Sequence, residues 1–300
     1  MRTHVDHRRA RRSAYTYERV LERLRRLATA HVSGEICDDP DEELIEKTER
    51  IITKLFRYYF RPEVTGLENV PDEPSMLVGN HDGGYLPVDG ICLGAAWHQH
   101  FGYKRPLIWL MHDFPFRISP RLTNFLSRCG VRPASRIWLR DAFDRGRSMF
   151  VYPGGAHEAF RPYVDRRRIE LGHRTGFIAE ALTRKVPIVP VVSVGAHETL
   201  FVISRGSWLA HKIPFVKRFR SDVLPLWIGL PWGIGFGPLP HLPLPAKIKV
   251  EVLPPIRLWE ELGDDSTESP NLQAGLDLVR RRMQTAIDAL YDARHYPILG

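Results

Sequence analysis

From residue 75 onward, short apolar runs alternate with stretches of helical periodicity. The candidate strands span residues 76–79, 107–111, 149–152, 188–194 and 248–253, and the candidate helices span residues 88–102, 120–129, 136–145, 172–184 and 272–292. This alternation predicts an α/β fold in which a central, mostly parallel sheet is flanked by helices. Ligands of such sheets bind beyond the carboxyl ends of the strands, so we expect functional residues to follow those ends directly.

Two amphipathic helices are predicted ahead of this α/β domain. Residues 14–32 carry apolar or aromatic side chains at a spacing of three to four, and a second helix is expected to begin near Asp41 and to continue through Phe56. It ends at residues 57–61, where three aromatic side chains lie between two arginines. Such a cluster is typical of a bilayer interface, and its alternative interpretation is packing against the main domain.

Positive charge is concentrated at the N-terminus. The formal net charge is +8, and the first thirty residues hold nine arginines against three acidic residues. Basic, amphipathic and aromatic segments together favour an anionic membrane surface, and no nucleic-acid-binding motif accompanies them; a solvated basic tail is the alternative. We therefore predict a helical, basic, membrane-associating extension over residues 1–62 and an α/β domain over residues 63–300.

The cysteines and the hydropathy pattern bear on location. The three cysteines are widely spaced, which favours a reducing cytosol, and no long apolar stretch of about 18 residues or more is free of charges and helix breakers. We expect a cytoplasmic protein that associates peripherally with membranes.

One apolar segment, residues 223–245, contains six prolines and four glycines. Prolines at this density exclude a continuous helix, so an irregular segment is expected. Its functional interpretation is an interfacial loop or one wall of an apolar groove, and its structural interpretation is extended chain laid over the core.

The most informative motif follows the first candidate strand. Asn80-His81 directly follows the apolar run, a glycine pair comes next, and Asp89 falls in the first turn of the following helix. An imidazole at a strand end can act as a general base when a carboxylate fixes its tautomer. Asp89 is the expected partner of His81, and Asp82 is the alternative.

A second motif follows the strand at residues 149–152. Its Gly154-Gly155 pair can expose backbone amides toward a phosphate or the oxyanion of an acyl-transfer intermediate, and Glu158 and Arg161 supply polar groups nearby. An ordinary structural turn is the alternative interpretation.

Four motifs of this chain resemble, in order, those of the glycerolipid acyltransferase family, which includes lysophosphatidate, glycerol-3-phosphate and neutral-glyceride acyltransferases. They are Asn80-His81, the Gly130-to-Arg136 spacing, residues 153–158 and the apolar run 186–191. Two motifs depart from the family pattern. Leu86 occupies the usual Asp position of the first motif, and the third motif resembles the variant found in relatives of diacylglycerol acyltransferases.

The resemblance implies an α/β acyltransferase that uses acyl-CoA or acyl carrier protein as co-substrate and needs no cofactor or metal. The acceptor is then a hydroxyl of a glycerolipid or lysophospholipid, and the altered third motif leaves phosphorylated and neutral acceptors open. The resemblance further implies His81 and Asp89 as the catalytic pair. It assigns substrate binding to a further set of residues, namely Asn80, Arg136, Gly154, Gly155, Glu158 and Arg161.

Two other chemistries compete with acyl transfer. An ester or thioester hydrolase would replace the lipid hydroxyl by water, but the chain lacks the Gly-x-Ser-x-Gly elbow of serine hydrolases. Metal catalysis would need a set of three ligands, which His98-Gln99-His100 and His112-Asp113 do not provide. Acyl transfer is therefore the preferred hypothesis.

Overall fold

The computed structural model describes residues 32–210, 212, 222–237, 239, 241–263, 267–294 and 296, so the helix predicted over residues 14–32 lies almost wholly outside the described part. The strands are β1 Glu63–Thr65, β2 Met76–Gly79, β3 Ile108–Met111, β4 Val131–Pro133, β5 Met149–Val151, β6 Ile188–Val194, β7 Phe201–Ser204, β8 Leu226–Gly229, β9 Gly233–Phe236 and β10 Lys249–Val252. The helices are α1 Glu42–Tyr59, α2 Val88–Phe101, α3 Pro120–Arg128, α4 Arg136–Asp144, α5 Gly155–Ala159, α6 Gly176–Arg184, α7 Ser207–Ala210, α8 Leu258–Glu261 and α9 Ser269–Asp292.

The central sheet has seven strands in the order β1-β10-β6-β2-β5-β3-β4. Strands β6, β2, β5, β3 and β4 run parallel, whereas β10 is antiparallel to β6. The predicted α/β fold with a mostly parallel, helix-flanked sheet is confirmed. Because β2 lies between β5 and β6, the carboxyl ends of all three strands meet at one edge.

Helix boundaries follow local capping chemistry. Asp41 caps α1 by accepting a hydrogen bond from the Leu44 amide at 3.0 Å, as its position suggested. Helix α6 begins at Gly176, four residues later than predicted, because Gly172 adopts a positive φ of 71°. Helix α9 begins at Ser269, three residues earlier than predicted, and Pro270 occupies its first turn.

The hydrophobic core consists of two layers, one on each face of the sheet. Helices α6 and α9 cover one face, where Val279 and Met283 are fully buried. Helix α2 covers the other face with Leu93 and Trp97, and the end of α1 adds Phe60 to the same cluster. In the aromatic cluster at residues 57–61, Phe60 packs on the domain, whereas Tyr58 is 75% exposed.

The segment predicted to be irregular, residues 223–245, contains two strands that the sequence did not indicate. Strand β8 pairs with β7 on one side and with β9 on the other, which forms a three-stranded antiparallel sheet. This correction has a simple cause: Pro225 and Pro231 lie just outside β8, where they remove no ladder hydrogen bond. Trp227 is fully buried over Gly235, where an added Cβ would lie 2.2 Å from the indole ring.

Among the residues that the structure describes, no helix has both the length and the apolar character that crossing a bilayer requires.

Candidate active site

Three segments meet at the carboxyl edge of the central sheet. The loop after β2 carries His81, the residue after β5 is Tyr152, and Ser193 lies near the end of β6. The parallel register of these strands places their ends side by side. Polar side chains therefore converge at the carboxyl ends of these strands, as expected for a parallel sheet.

Tyr152 connects the predicted base to the predicted carboxylate. Its ring stacks on the His81 imidazole with a centroid separation of 4.3 Å and an interplanar angle of 24°. Its hydroxyl donates to Asp89 Oδ2 at 3.2 Å, and the Ser193 hydroxyl donates to the same oxygen at 2.8 Å. The tyrosine therefore fixes the plane of the imidazole and the position of the carboxyl group together.

His81 and Asp89 lie at the same site but are not hydrogen-bonded to each other. Within the described part of the chain, His81 Nδ1 and Asp89 Oδ1 are both buried and have no hydrogen-bond partner. Catalytic hydrogen bonds are often long or open in a structure without substrate. Each group thus retains one unsatisfied atom at the site.

Burial sets the protonation states of this pair. Loss of hydration lowers the pKa of His81 to about 4, although the Asp82 charge opposes the shift. Loss of hydration, with repulsion from Asp82, raises the pKa of Asp89 to about 7. At neutral pH the imidazole is therefore unprotonated, as a general base requires, while Asp89 is close to its point of half-ionisation.

Asn80 holds the end of β2 against β6. Its side-chain oxygen accepts from the Ser193 amide at 2.8 Å, and its nitrogen donates to the Ser193 carbonyl at 3.0 Å and to Asp82 Oδ2 at 2.7 Å. The side chain is fully occupied by these contacts and almost completely buried. Asn80 thus positions the His81 loop instead of facing a substrate.

A buried ionic cluster lies beneath the loop. Arg161 donates to Asp82 Oδ1 at 2.6 Å and to Glu158 Oε1 at 3.4 Å, and His197 Nδ1 lies 3.1 Å from Asp82 Oδ1. Burial opposes ionisation of Asp82, but His197 and Arg161 outweigh it and lower its pKa. Burial raises the pKa of Glu158 to about 8, so Glu158 is mostly protonated at neutral pH and Asp82 supplies the anion that faces Arg161. Glu158 and Arg161, predicted to bind substrate, therefore support the loop from within.

The glycine turn after β5 is tightly built. The Gly155 amide donates to the Tyr152 carbonyl at 3.2 Å, so this amide closes the turn. A Cβ on Gly154 would lie 2.2 Å from the Glu170 carbonyl oxygen and 2.3 Å from Glu158 Oε2, and only glycine fits there. The Gly155 amide is one of the two that were predicted to stabilise an oxyanion, and it is already hydrogen-bonded within the turn.

Arg136 follows β4, three strands away from β2, which is about 14 Å at the usual strand spacing. It is exposed, and its guanidinium lies beside Gly176. Arg174, which the sequence did not single out, lies close to Gly155 and is also exposed. Two cations therefore line the approach to the glycine turn from the α6 side.

Several supporting residues were not predicted from the sequence. Ser193 is the one polar residue in the run Ile188–Val194, and that isolated polarity was an available signal. Tyr152 and His197 both follow strand ends, but their contacts with His81 and Asp82 depend on tertiary structure. Among the described residues, no group of three or more His, Cys, Asp or Glu side chains is arranged to hold a metal ion.

Comparison with known proteins identifies the domain that carries this site. Residues 61–194 match the family model described as Acyltransferase, and this range includes His81, Tyr152 and Ser193. This part of the chain is therefore similar to acyltransferase-family domains. The resemblance to glycerolipid acyltransferases is confirmed by relatives that include diacylglycerol O-acyltransferase 2 of Xenopus laevis, which is 26% identical over 52% of this chain and 45% of that protein.

The acyltransferase domain has other relatives. An uncharacterised protein of Mycobacterium tuberculosis is 28% identical over 82% of this chain and 66% of its own length. The chain thus spans less than two thirds of either relative. The crystal structure of the 1-acyl-sn-glycerophosphate acyltransferase from Thermotoga maritima is 17% identical, with 84% of each chain covered and a TM-score of 0.46.

Proposed function

We propose that this protein transfers a fatty acyl group from acyl-CoA or acyl carrier protein to a hydroxyl of a glycerolipid or lysophospholipid at a membrane surface, with His81 as the general base. The observation that carries the proposal is the neutral imidazole at the sheet edge, stacked on Tyr152 and within a matched acyltransferase domain. The names of the glyceride-acylating relatives support a lipid acceptor.

The chemistry is a direct transfer. His81 accepts the proton of the acceptor hydroxyl as its oxygen attacks the thioester carbonyl, which forms a tetrahedral oxyanion. The oxyanion collapses, the carbon–sulfur bond breaks, and the imidazolium returns its proton to the leaving thiolate. Positioned proton transfer supplies roughly 10²–10⁴-fold in rate, so proximity and oxyanion stabilisation must provide the remainder. The Gly154 amide is the proposed donor to the oxyanion.

Asp89 is the better candidate to brace the imidazolium. Asp82 is already committed to Arg161, Asn80 and His197, whereas Asp89 Oδ1 has no partner within the described part of the chain. A small rotation of the His81 ring toward Asp89 on substrate binding would pair two otherwise unsatisfied atoms. Arg136 and Arg174 are the proposed contacts for an anionic group on donor or acceptor.

The outer side of α1 supports the membrane part of the proposal. Ile51, Leu55 and Tyr58 are exposed at spacings of four and three residues, which places them on one helical face. The basic residues of the predicted extension precede this helix in the chain. Apolar and cationic groups in this combination bind anionic lipid surfaces.

Radiolabelled acyl-CoA supplied with a panel of lysophospholipids, glycerol phosphate and mono- or diacylglycerol tests the proposal. We expect an acceptor-dependent lipid product, and we expect His81→Ala to lower turnover by about a hundredfold or more without changing the far-UV circular dichroism or the unfolding midpoint. A folded His81→Ala protein with normal turnover would exclude the base role. Free fatty acid released equally with and without acceptor would establish the hydrolase instead.

A further inference from the structure

The three-stranded sheet has apolar side chains on both of its faces. Its inner face buries Val202 and Trp227 against the domain. On its outer face Ile228 lies directly opposite Ile234, and Leu226 lies directly opposite Phe236. An antiparallel sheet with one face in water normally alternates apolar and polar residues, yet Ile234 is 71% exposed and Ile228 is 46% exposed. The outer face therefore has the composition of a contact surface.

The segment that carries β8 and β9 contains no charged residue. Residues 223–245 contain no Asp, Glu, Lys or Arg, although 26% of the whole chain is charged. The turn between β8 and β9 adds Leu230 and Trp232, and both side chains are exposed. Exposed apolar patches of this kind on folded domains mark binding to a partner or a membrane.

The β8–β9 turn is connected to the loop that follows His81. Tyr85 and Leu86, in the loop that follows His81, are both exposed, and the Tyr85 ring lies 6.4 Å from that of His241. The next residue, Leu242, is exposed and donates its amide to the Leu230 carbonyl at 2.9 Å. A single apolar surface thus leads from the His81 loop to the β8–β9 turn.

The flanking charges indicate which partner fits. Residues 211–220 contain Lys212, Lys217, Arg218 and Arg220 and no acidic residue. Lys212 Nζ lies 5.8 Å from the centre of the exposed Trp208 ring. Anionic headgroups complement such cations and interfacial aromatics. A second copy of this chain, docked symmetrically on the same face, would instead bring no acidic residue from its own residues 223–245 toward Lys212.

We propose that the outer face of the β7–β9 sheet, together with the β8–β9 turn, inserts into an anionic lipid surface and turns the entrance of the His81 site toward the bilayer. A lipid acceptor would then move laterally along the apolar surface to the base without crossing water. The role of the surface in acceptor entry rests on the proposed acyl transfer. The membrane contact itself rests on the sheet.

The test is co-sedimentation of the full chain with vesicles of equal parts phosphatidylcholine and phosphatidylglycerol. The variant Ile228→Thr/Ile234→Thr changes the directly opposed pair on the outer face. Ile118→Thr makes the same chemical change at a residue that is 59% exposed and belongs to the segment after β3. We expect the double variant to lower the vesicle partition coefficient by about tenfold or more, because two branched side chains leave the bilayer contact, while Ile118→Thr binds like the wild type. Thermal unfolding of each variant shows whether the fold is intact.

Two further measurements separate this proposal from the proposed function. His81→Ala is expected to bind vesicles like the wild type, because it changes the chemistry and leaves the sheet unaltered. If the wild type binds vesicles through the sheet but acylates no lipid, the membrane contact is supported and the proposed acyl transfer is wrong. Equal vesicle binding by the folded double variant and the wild type would overturn the surface. The surface would also be overturned by two results together: the wild type does not bind vesicles, and light scattering shows that the wild type is a dimer while the double variant is a monomer.

Discussion

Replacing Asp89 with asparagine should make the fold less sensitive to alkaline pH. The folded-state pKa of Asp89 is about 7, against an ordinary value of 3.8, because the carboxyl group is buried near the Asp82 charge. Since the folded pKa is raised, the protonated carboxyl favours the folded state; this contribution is complete below about pH 4 and is lost as the pH rises through 7. The gap corresponds to roughly 4 kcal/mol of unfolding free energy once Asp89 is fully ionised.

Urea unfolding at pH 5 and at pH 8 measures this effect. Between these two values Asp89 accounts for roughly 2–3 kcal/mol of lost unfolding free energy, because most of the unfolded-state titration is already complete at pH 5. The wild type should lose that much more stability than Asp89→Asn over the interval. Asp292→Asn is the matched control, since it removes an exposed carboxylate at the end of α9, and it should follow the wild type.

A common pH dependence for Asp89→Asn and the wild type would refute this reasoning. It would mean that water or structural relaxation hydrates the carboxyl group in solution. Asp89 would then be ionised at neutral pH even without a bound substrate. The comparison therefore tests the electrostatics of the site independently of any substrate assay.

The remaining predictions concern the same site and the sheet beside it. Acyl transfer by the wild type should increase as the pH rises through about 7, where Asp89 ionises, and Asp89→Asn should lose this limb of the pH–rate profile. Tyr152→Phe keeps the stacked ring but loses the hydroxyl, so kcat should fall several-fold with KM nearly unchanged; an unaltered kcat would remove the hydrogen bond from the mechanism. Arg161→Met leaves the buried Asp82 carboxylate without its cation and should lower the free energy of unfolding in urea by about 3–5 kcal/mol. A decrease below about 1 kcal/mol would show that the cluster is hydrated. Gly235→Ala should cost about 1–3 kcal/mol, because the new Cβ meets the Trp227 ring, and unchanged stability would show that the ring can move.

Sequence patterns located the fold well wherever local periodicity was strong. The runs 76–79 and 188–194 coincide with β2 and β6, and Asp41 caps α1 as its position suggested. Strands β1 and β4 were not predicted because their three residues are only partly apolar, whereas β5, which is equally short, is a continuous apolar run. The hairpin of β8 and β9 was missed because its prolines and glycines indicate loops, while pairing with β7 supplies the order that local sequence does not.

The candidate site was predictable at its strand ends and less so in its contacts. His81, Asp89 and the glycine turn were found because each follows or begins a recognisable element. The sequence could not show whether Arg161 binds a substrate or pairs with a buried carboxylate, because a cation near a glycine turn can do either. Only the tertiary partner Asp82, 79 residues away, decides between these roles.

The buried guanidinium of Arg161 has a consequence for how the protein matures. It ties the segment after α5 to the loop after β2, and through Asp82 it is joined to His197 in the turn that follows β6. A nascent chain cannot form all of these contacts until about its first two hundred residues have left the ribosome, because the contacts join segments that are far apart in the sequence. A fragment that ends before His197 would therefore lack one of the three side chains that hold Asp82 beside the His81 loop.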